Sequence, residues 1–223
     1  KVTNGDAGSA LMRDMRLAAR LIAATVKAVK IPVTLKMRTG WDHDNKNAPQ
    51  LAKIAEEHGI QAVSVHGRTR CQFYKGTADW PFIATVKDVV NIPVFGNGDV
   101  VSVDDAKQLL SDSGADGLLV GRGTYGRPWF LNQISHFLRT GERIKEPGLM
   151  YQMNNALEHY DAILSHYGSY RGVKIARKHL GWYSKGLPSS AEFRQRVFKL
   201  DNPKEVQSCI RSFYEPLVDC LVA

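Results

Sequence analysis

Pro32-Val33-Thr34-Leu35-Lys36-Met37-Arg38 is a short apolar run that ends in cations. Three more runs follow the same plan: Ala62-Val63-Ser64-Val65-His66-Gly67-Arg68, Pro93-Val94-Phe95-Gly96-Asn97-Gly98-Asp99 and Gly117-Leu118-Leu119-Val120-Gly121-Arg122. Runs with little polar alternation are the pattern of parallel strands covered on both faces, and the segments between them carry helical spacing. Leu51, Ile54 and Ala55 mark a helix over 47–58; Phe82, Ile83, Val86 and Val89 one over 80–90; Val103, Ala106, Leu109 and Leu110 one over 102–113. Asp79 and Ser102 are in place as N-caps, and Gly59 and Gly114 as C-terminal glycines. Upstream, Leu11, Met15, Ala18, Ile22, Val26 and Val29 predict one continuous amphipathic helix over 8–29, stopped by Pro32.

Ile31-Pro32-Val33 returns as Ile92-Pro93-Val94, an internal repeat of about sixty residues that suits one quarter of an eight-stranded barrel. The prediction is an α/β fold: the C-terminal half of a TIM (β/α)8 barrel, with its ligand site at the C-terminal ends of the strands. A helix over 129–138 and a polar linker over 139–148 follow. Residues 149–222 then show helical spacing only, with turn signals at Tyr167-Gly168, Gly186 to Ser190 and Asp201 to Pro203. The expected organisation is a partial barrel over 1–140 and a small all-α helical domain over 149–223.

A chain of 223 residues with 43% hydrophobic residues can bury a substantial core. It contains no run of the roughly 20 apolar residues that a membrane span needs, and Lys1-Val2-Thr3-Asn4-Gly5-Asp6 is not an apolar signal sequence. A cytoplasmic protein without a membrane or a stable protein partner is expected. Cys71, Cys209 and Cys220 form no Cys-x-x-Cys pair, which argues against a zinc site or disulfide framework. Thirty Lys and Arg against 22 Asp and Glu leave +8, a balance that favours a polyanionic partner.

Asn97-Gly98-Asp99 and Gly121-Arg122-Gly123 end consecutive strands, where small residues let backbone N–H groups approach an anion. Their pairing predicts a phosphate site of the kind found after strands 7 and 8 of such barrels. Gly121 to Gly126 also matches G-x-G-x-x-G, but the acidic strand end about 20 residues later that a dinucleotide fold requires is missing. Lys36 and Arg38 share one strand face with Thr34 and point into the barrel, where two cations call for an anionic or electron-rich partner. His66 ends the next strand. His43, between Asp42 and Asp44, belongs to a solvated loop rather than a metal site. In the helical region Arg171, Lys174, Arg177, Lys178 and Lys185 are interleaved with Tyr170, Trp182 and Tyr183, a basic stripe beside aromatics that suits an RNA backbone with stacked bases.

Leu35-Lys36-Met37-Arg38-Thr39-Gly40-Trp41, His66-Gly67-Arg68-Thr69-Arg70, Tyr74-Lys75-Gly76, Asn97-Gly98-Asp99, Gly121-Arg122 and Ala176-Arg177-Lys178-His179, in this order, resemble the bacterial tRNA-dihydrouridine synthases, and within them the B-type branch. The resemblance implies an FMN-dependent enzyme that takes electrons from NADPH and reduces a tRNA uridine to 5,6-dihydrouridine. It puts Lys36 near N1 and O2 of the flavin and His66 beside its ring or ribityl chain. Asn97, Gly98, Asp99, Gly121 and Arg122 would hold the ribityl and phosphate groups, and Arg38 and Tyr74 would face the uracil. Arg171, Lys174, Arg177 and Lys178 would grip the folded tRNA around an extruded base. It also implies a proton-donating cysteine in a Gly-Cys-Pro setting, and four earlier strands, upstream of Lys1. On that expectation no catalytic acid lies within the 223 residues, and the chain alone is inactive. Two other readings remain at this point: an FMN barrel acting on a free pyrimidine, and a non-catalytic RNA-binding protein.

Overall fold

The computed structural model describes residues 7–219. The opening Lys1 to Asp6 stretch and Cys220 lie outside these described residues. The chain divides into two compact units, 1–123 and 124–223.

In the first unit β1 (Thr34–Arg38), β2 (Ala62–His66), β3 (Val94–Asn97) and β4 (Gly117–Leu119) form one parallel sheet in sequential order. Helices α2 (Ala48–Glu57), α3 (Trp80–Lys87) and α4 (Val103–Ser113) connect them. This repeated β-α order is the plan of half a (β/α)8 barrel. Local chemistry sets the helix ends. The Asp79 carboxylate accepts from Phe82 N–H at 3.0 Å, Ser102 and Asp105 form a reciprocal capping box, and Gly114 closes α4 in the left-handed region.

The helix predicted over 8–29 is broken. Gly8–Arg13 is a 3-10 helix, and α1 spans Met15–Ala28. The Asp14 side chain accepts from Leu17 N–H at 2.9 Å, so Asp14 starts a new helix instead of continuing the old one.

The two faces of the sheet differ in burial. Met37, Val63, Val65 and Val94 face the helices and join Ile22, Leu51, Ala52, Ile83 and Val86 in one buried core. On the other face Thr34 and Lys36 are exposed, and Ser64, Phe95 and Asn97 are only partly buried. At the strand starts two carboxylates hold the backbone. Glu56 accepts from the N–H groups of Asn91 and Ile92 at 2.7 and 3.1 Å. Asp116 accepts from Val94 N–H at 2.8 Å and pairs with Lys87 at 2.7 Å.

The second unit is all helical: α5 (Phe130–Thr140), α6 (Leu149–Tyr183), α7 (Ser190–Val197) and α8 (Pro203–Asp219). Gly168 breaks α6 with φ 73° and ψ 162°. Its two arms fold back on each other, since His159 meets both His179 and Tyr183. Tyr160, Val173, Ala176, Leu180, Phe193, Ile210 and Tyr214 are among the side chains that fill its core. Within the polar stretch read as a linker, Glu146 accepts from Trp129 Nε1 at 2.6 Å.

Candidate functional site

Register fixes which side chains meet at the strand ends. Arg38 pairs with His66, His66 with Asn97, and Asn97 with Leu119, so one residue from each strand tip lies in a single row. Lys36 lies one pleat below and on the same face. Its Nζ donates to Asn97 Oδ1 at 3.4 Å, while Asn97 Nδ2 donates to the Leu119 carbonyl at 2.7 Å. The Asn97 amide is thereby oriented, oxygen toward the cation and nitrogen toward β4.

His66 is only 8% exposed. Its ring lies against Gly98, where a Cβ would fall 3.0 Å from His66 Cδ2 and 2.7 Å from Ala78 Cβ. With φ at 125°, Gly98 occupies a conformation and a space that a side chain would not tolerate. Asp99 follows at φ 58°. Its carboxylate accepts from Arg68 Nη1 and Nη2 at 2.7 and 2.5 Å and from Ala78 N–H at 2.8 Å, with Arg122 at 3.5 Å. The Arg122 guanidinium also lies 4.4 Å above the Tyr74 ring, and that of Arg38 lies 5.8 Å from it.

The structure therefore brings Lys36, Arg38, His66, Tyr74, Asn97, Gly98, Asp99 and Arg122 together at one end of the sheet. Gly121 directly precedes Arg122, and open space surrounds the point where its Cβ would be.

Burial, followed by neighbouring charges and hydrogen bonds, shifts the titratable groups of this cluster. Burial, then Arg38, Lys36 and Arg68, push His66 down to about 4, against a smaller opposing pull from Asp99, so the imidazole is neutral at pH 7. Burial and the neighbouring Arg38 lower Lys36 from its ordinary value. Burial alone would raise Asp99, but hydrogen bonds from Arg68 and Ala78 outweigh it and hold the carboxyl below the usual range.

Sequence reasoning assigned no role to Arg68, which the structure makes central. Only 2% exposed, it grips Asp99 and also donates to the carbonyls of Lys75 at 3.1 Å and Gly76 at 2.5 Å. A signal existed: Arg68 and Asp99 each stand two residues beyond the paired tips His66 and Asn97.

The second unit sorts its basic residues. Arg171, Lys174, Lys178 and Lys185 are exposed, with Lys174 Nζ 3.9 Å above the Tyr170 ring. Arg177 departs from this row, because its guanidinium is bound to Asp201 at 2.8 Å and to the Leu200 carbonyl at 3.1 Å. Tyr183 is buried in the core, and Trp182 stacks on Tyr125 at 3.9 Å, so among these aromatics Tyr170 is the exposed one. His43 stands in a turn built on Asp42, whose Oδ1 accepts from Asp44 and Asn45.

Comparison with known proteins gives this geometry a context. The chain is 58% identical over 219 residues to a probable tRNA-dihydrouridine synthase of Rickettsia bellii, a match covering 98% of this chain and 67% of that protein. It is 47% identical to tRNA-dihydrouridine synthase B of Xanthomonas axonopodis pv. citri, over 98% of this chain and 66% of the relative. To the protein of that name in Pseudomonas putida it is 48% identical, over 96% and 64%. The chain thus spans about two thirds of the length of these relatives. Residues 1–216 match the family described as dihydrouridine synthase (Dus), and the chain belongs to that family.

Proposed function

We propose that the protein carrying this chain reduces uridine to 5,6-dihydrouridine in tRNA, with FMN as cofactor and NADPH as reductant. The observation that carries the reading is the convergence of Lys36, His66, Asn97, Gly98, Asp99 and Arg122 at the C-terminal ends of parallel strands. These residues fit a flavin mononucleotide. The Gly98 cradle admits nothing larger than hydrogen, no side chain crowds Gly121, Lys36 supplies a cation at the oriented Asn97 amide and Arg122 one beside Asp99.

In this reading Arg122 and the Gly121 backbone bind phosphate, Asn97 and Asp99 orient the hydroxylated chain, and Lys36 sets a positive charge beside the ring system. His66 stays neutral and acts as a hydrogen-bonding wall rather than a proton donor. Arg38 and Tyr74 orient the pyrimidine. The flavin, when bound, supplies the hydride. Arg171, Lys174 and Lys178 hold the tRNA backbone, with Arg177 bracing the helices that carry them.

The test is purification of the full-length protein, measurement of its flavin absorption, and an assay of dihydrouridine in tRNA and of free uracil reduction with NADPH. Flavin retention and reaction on tRNA alone are expected, and Lys36→Ala lowers the rate at least 100-fold, the size that losing a preorganised charge produces. A protein that takes up no flavin, or one that reduces free uracil and not tRNA, overturns the proposal.

A further inference from the structure

The loop over 67–79 carries two adjacent aromatic side chains, Phe73 and Tyr74, with 51% and 59% of their surface in water. Its backbone is tied from beneath. Arg38 Nη1 donates to the carbonyls of Thr69 and Phe73 at 2.9 and 3.0 Å, and Arg68 to those of Lys75 and Gly76. Phe73 itself sits at φ 51°, a left-handed conformation unfavourable for a bulky residue, and closes a turn through its N–H to Arg70 at 3.1 Å. A loop held this firmly, in a strained conformation and with its rings outward, forgoes the burial those rings would gain in a core.

The surroundings of Phe73 indicate what covers it. The Arg70 guanidinium lies 4.5 Å above the Phe73 ring and 5.0 Å from Trp41, and Arg13 lies 4.9 Å from Trp41. Cations and rings alternate as Arg13, Trp41, Arg70 and Phe73, and Arg122 caps Tyr74 next door. A flat base on an anionic backbone complements both parts of such a column, its π-face on the ring and its phosphate near the guanidiniums. An apolar protein segment would satisfy the ring and desolvate the charges.

We propose that Phe73 is a base-stacking residue for the nucleotide next to the target pyrimidine. The inference rests on the tRNA reading above and adds to it a named stacking partner. Extrusion of one base leaves its neighbour without a stacking face, and Phe73, adjacent to the pyrimidine-facing Tyr74, offers a replacement.

The test uses the full-length protein with Phe73→Ala, Phe73→Leu and Phe73→Tyr. Four quantities are read: Kd for an unmodified tRNA transcript, KM and kcat for its reduction, flavin content, and Tm. Phe73→Ala and Phe73→Leu are each expected to raise Kd and KM about tenfold. Flavin content should be unchanged and kcat within about twofold, because stacking is made equally in ground and transition states. Phe73→Tyr keeps wild-type affinity. Wild-type affinity in Phe73→Leu means that apolar bulk suffices and overturns the inference, as does unchanged affinity with a lowered Tm in Phe73→Ala. If the wild-type protein does not bind tRNA, the reading of the previous section falls and this one with it. Strong binding that is indifferent to Phe73 removes the stacking role alone.

Discussion

Arg68 shows how one buried guanidinium organises a site. Four of its hydrogen bonds meet a carboxylate and two loop carbonyls, so the β3 tip and the Tyr74 loop are held by the same group. Removing it leaves Asp99, at a left-handed φ, facing Ala78 with its main cation gone. Arg68→Ala is expected to lower unfolding free energy by about 3 kcal/mol, measured by urea denaturation. Arg68→Lys should recover only part of this, since an ammonium cannot match a two-oxygen fork. Equal stability of the alanine variant and wild type would contradict the account. Legibility at this scale was uneven. Lys36 and Arg38 stood out by strand parity and Gly98 by its place after a strand, whereas His66, at a strand tip, drew a role only from the family resemblance. Arg68 did not, because its partners are mostly backbone carbonyls whose direction depends on a loop path. Arg177 stood in a basic run, and only the path of α7 into α8 brings Asp201 to it.

Elements were more readable than their breaks. Four strands and three connecting helices followed from apolar runs, and the caps at Asp79, Ser102 and Gly114 from residue type. The interruption at Asp14 escaped because apolar spacing continues through it, whereas the deciding event is a single side-chain acceptance by Asp14. Gly168 is the clearest case in which one residue shapes an element. At φ 73° and ψ 162° it lies where essentially glycine alone is comfortable, and no atom stands within 4 Å of a Cβ placed there. Gly168→Ala is therefore expected to destabilise through backbone strain without a clash, by about 1–3 kcal/mol. Chemical denaturation of the variant checks this, and an unmoved midpoint would mean that the α6 reversal does not require the glycine conformation.

Over the whole molecule, acid acts in one direction. Burial lowers the pKa of His66, His159 and His179 in the folded state, with nearby cations adding to the effect at His66. Between the unfolded value of 6.5 and about 4 at His66, the unfolded chain binds more protons than the folded one. Stability is therefore fully present above pH 6.5 and declines as pH falls through that window. Thermal melts at pH 7.5, 6.0 and 5.0 should give successively lower Tm, and His66→Gln should flatten part of the decline; a Tm that rises on acidification would contradict it. Asp99 and Asp116, whose carboxyls are held low, lose their contribution only at still lower pH. The ties at the two ends of the sheet have a final consequence. Carboxylates, Glu56 and Asp116, catch free amides where strands begin, and guanidiniums, Arg38 and Arg68, catch free carbonyls in the loops where strands finish. The same fasteners thus place carboxylates where the sheet begins and guanidiniums where it finishes, an asymmetry that favours an anion at the strand tips over one at the strand starts.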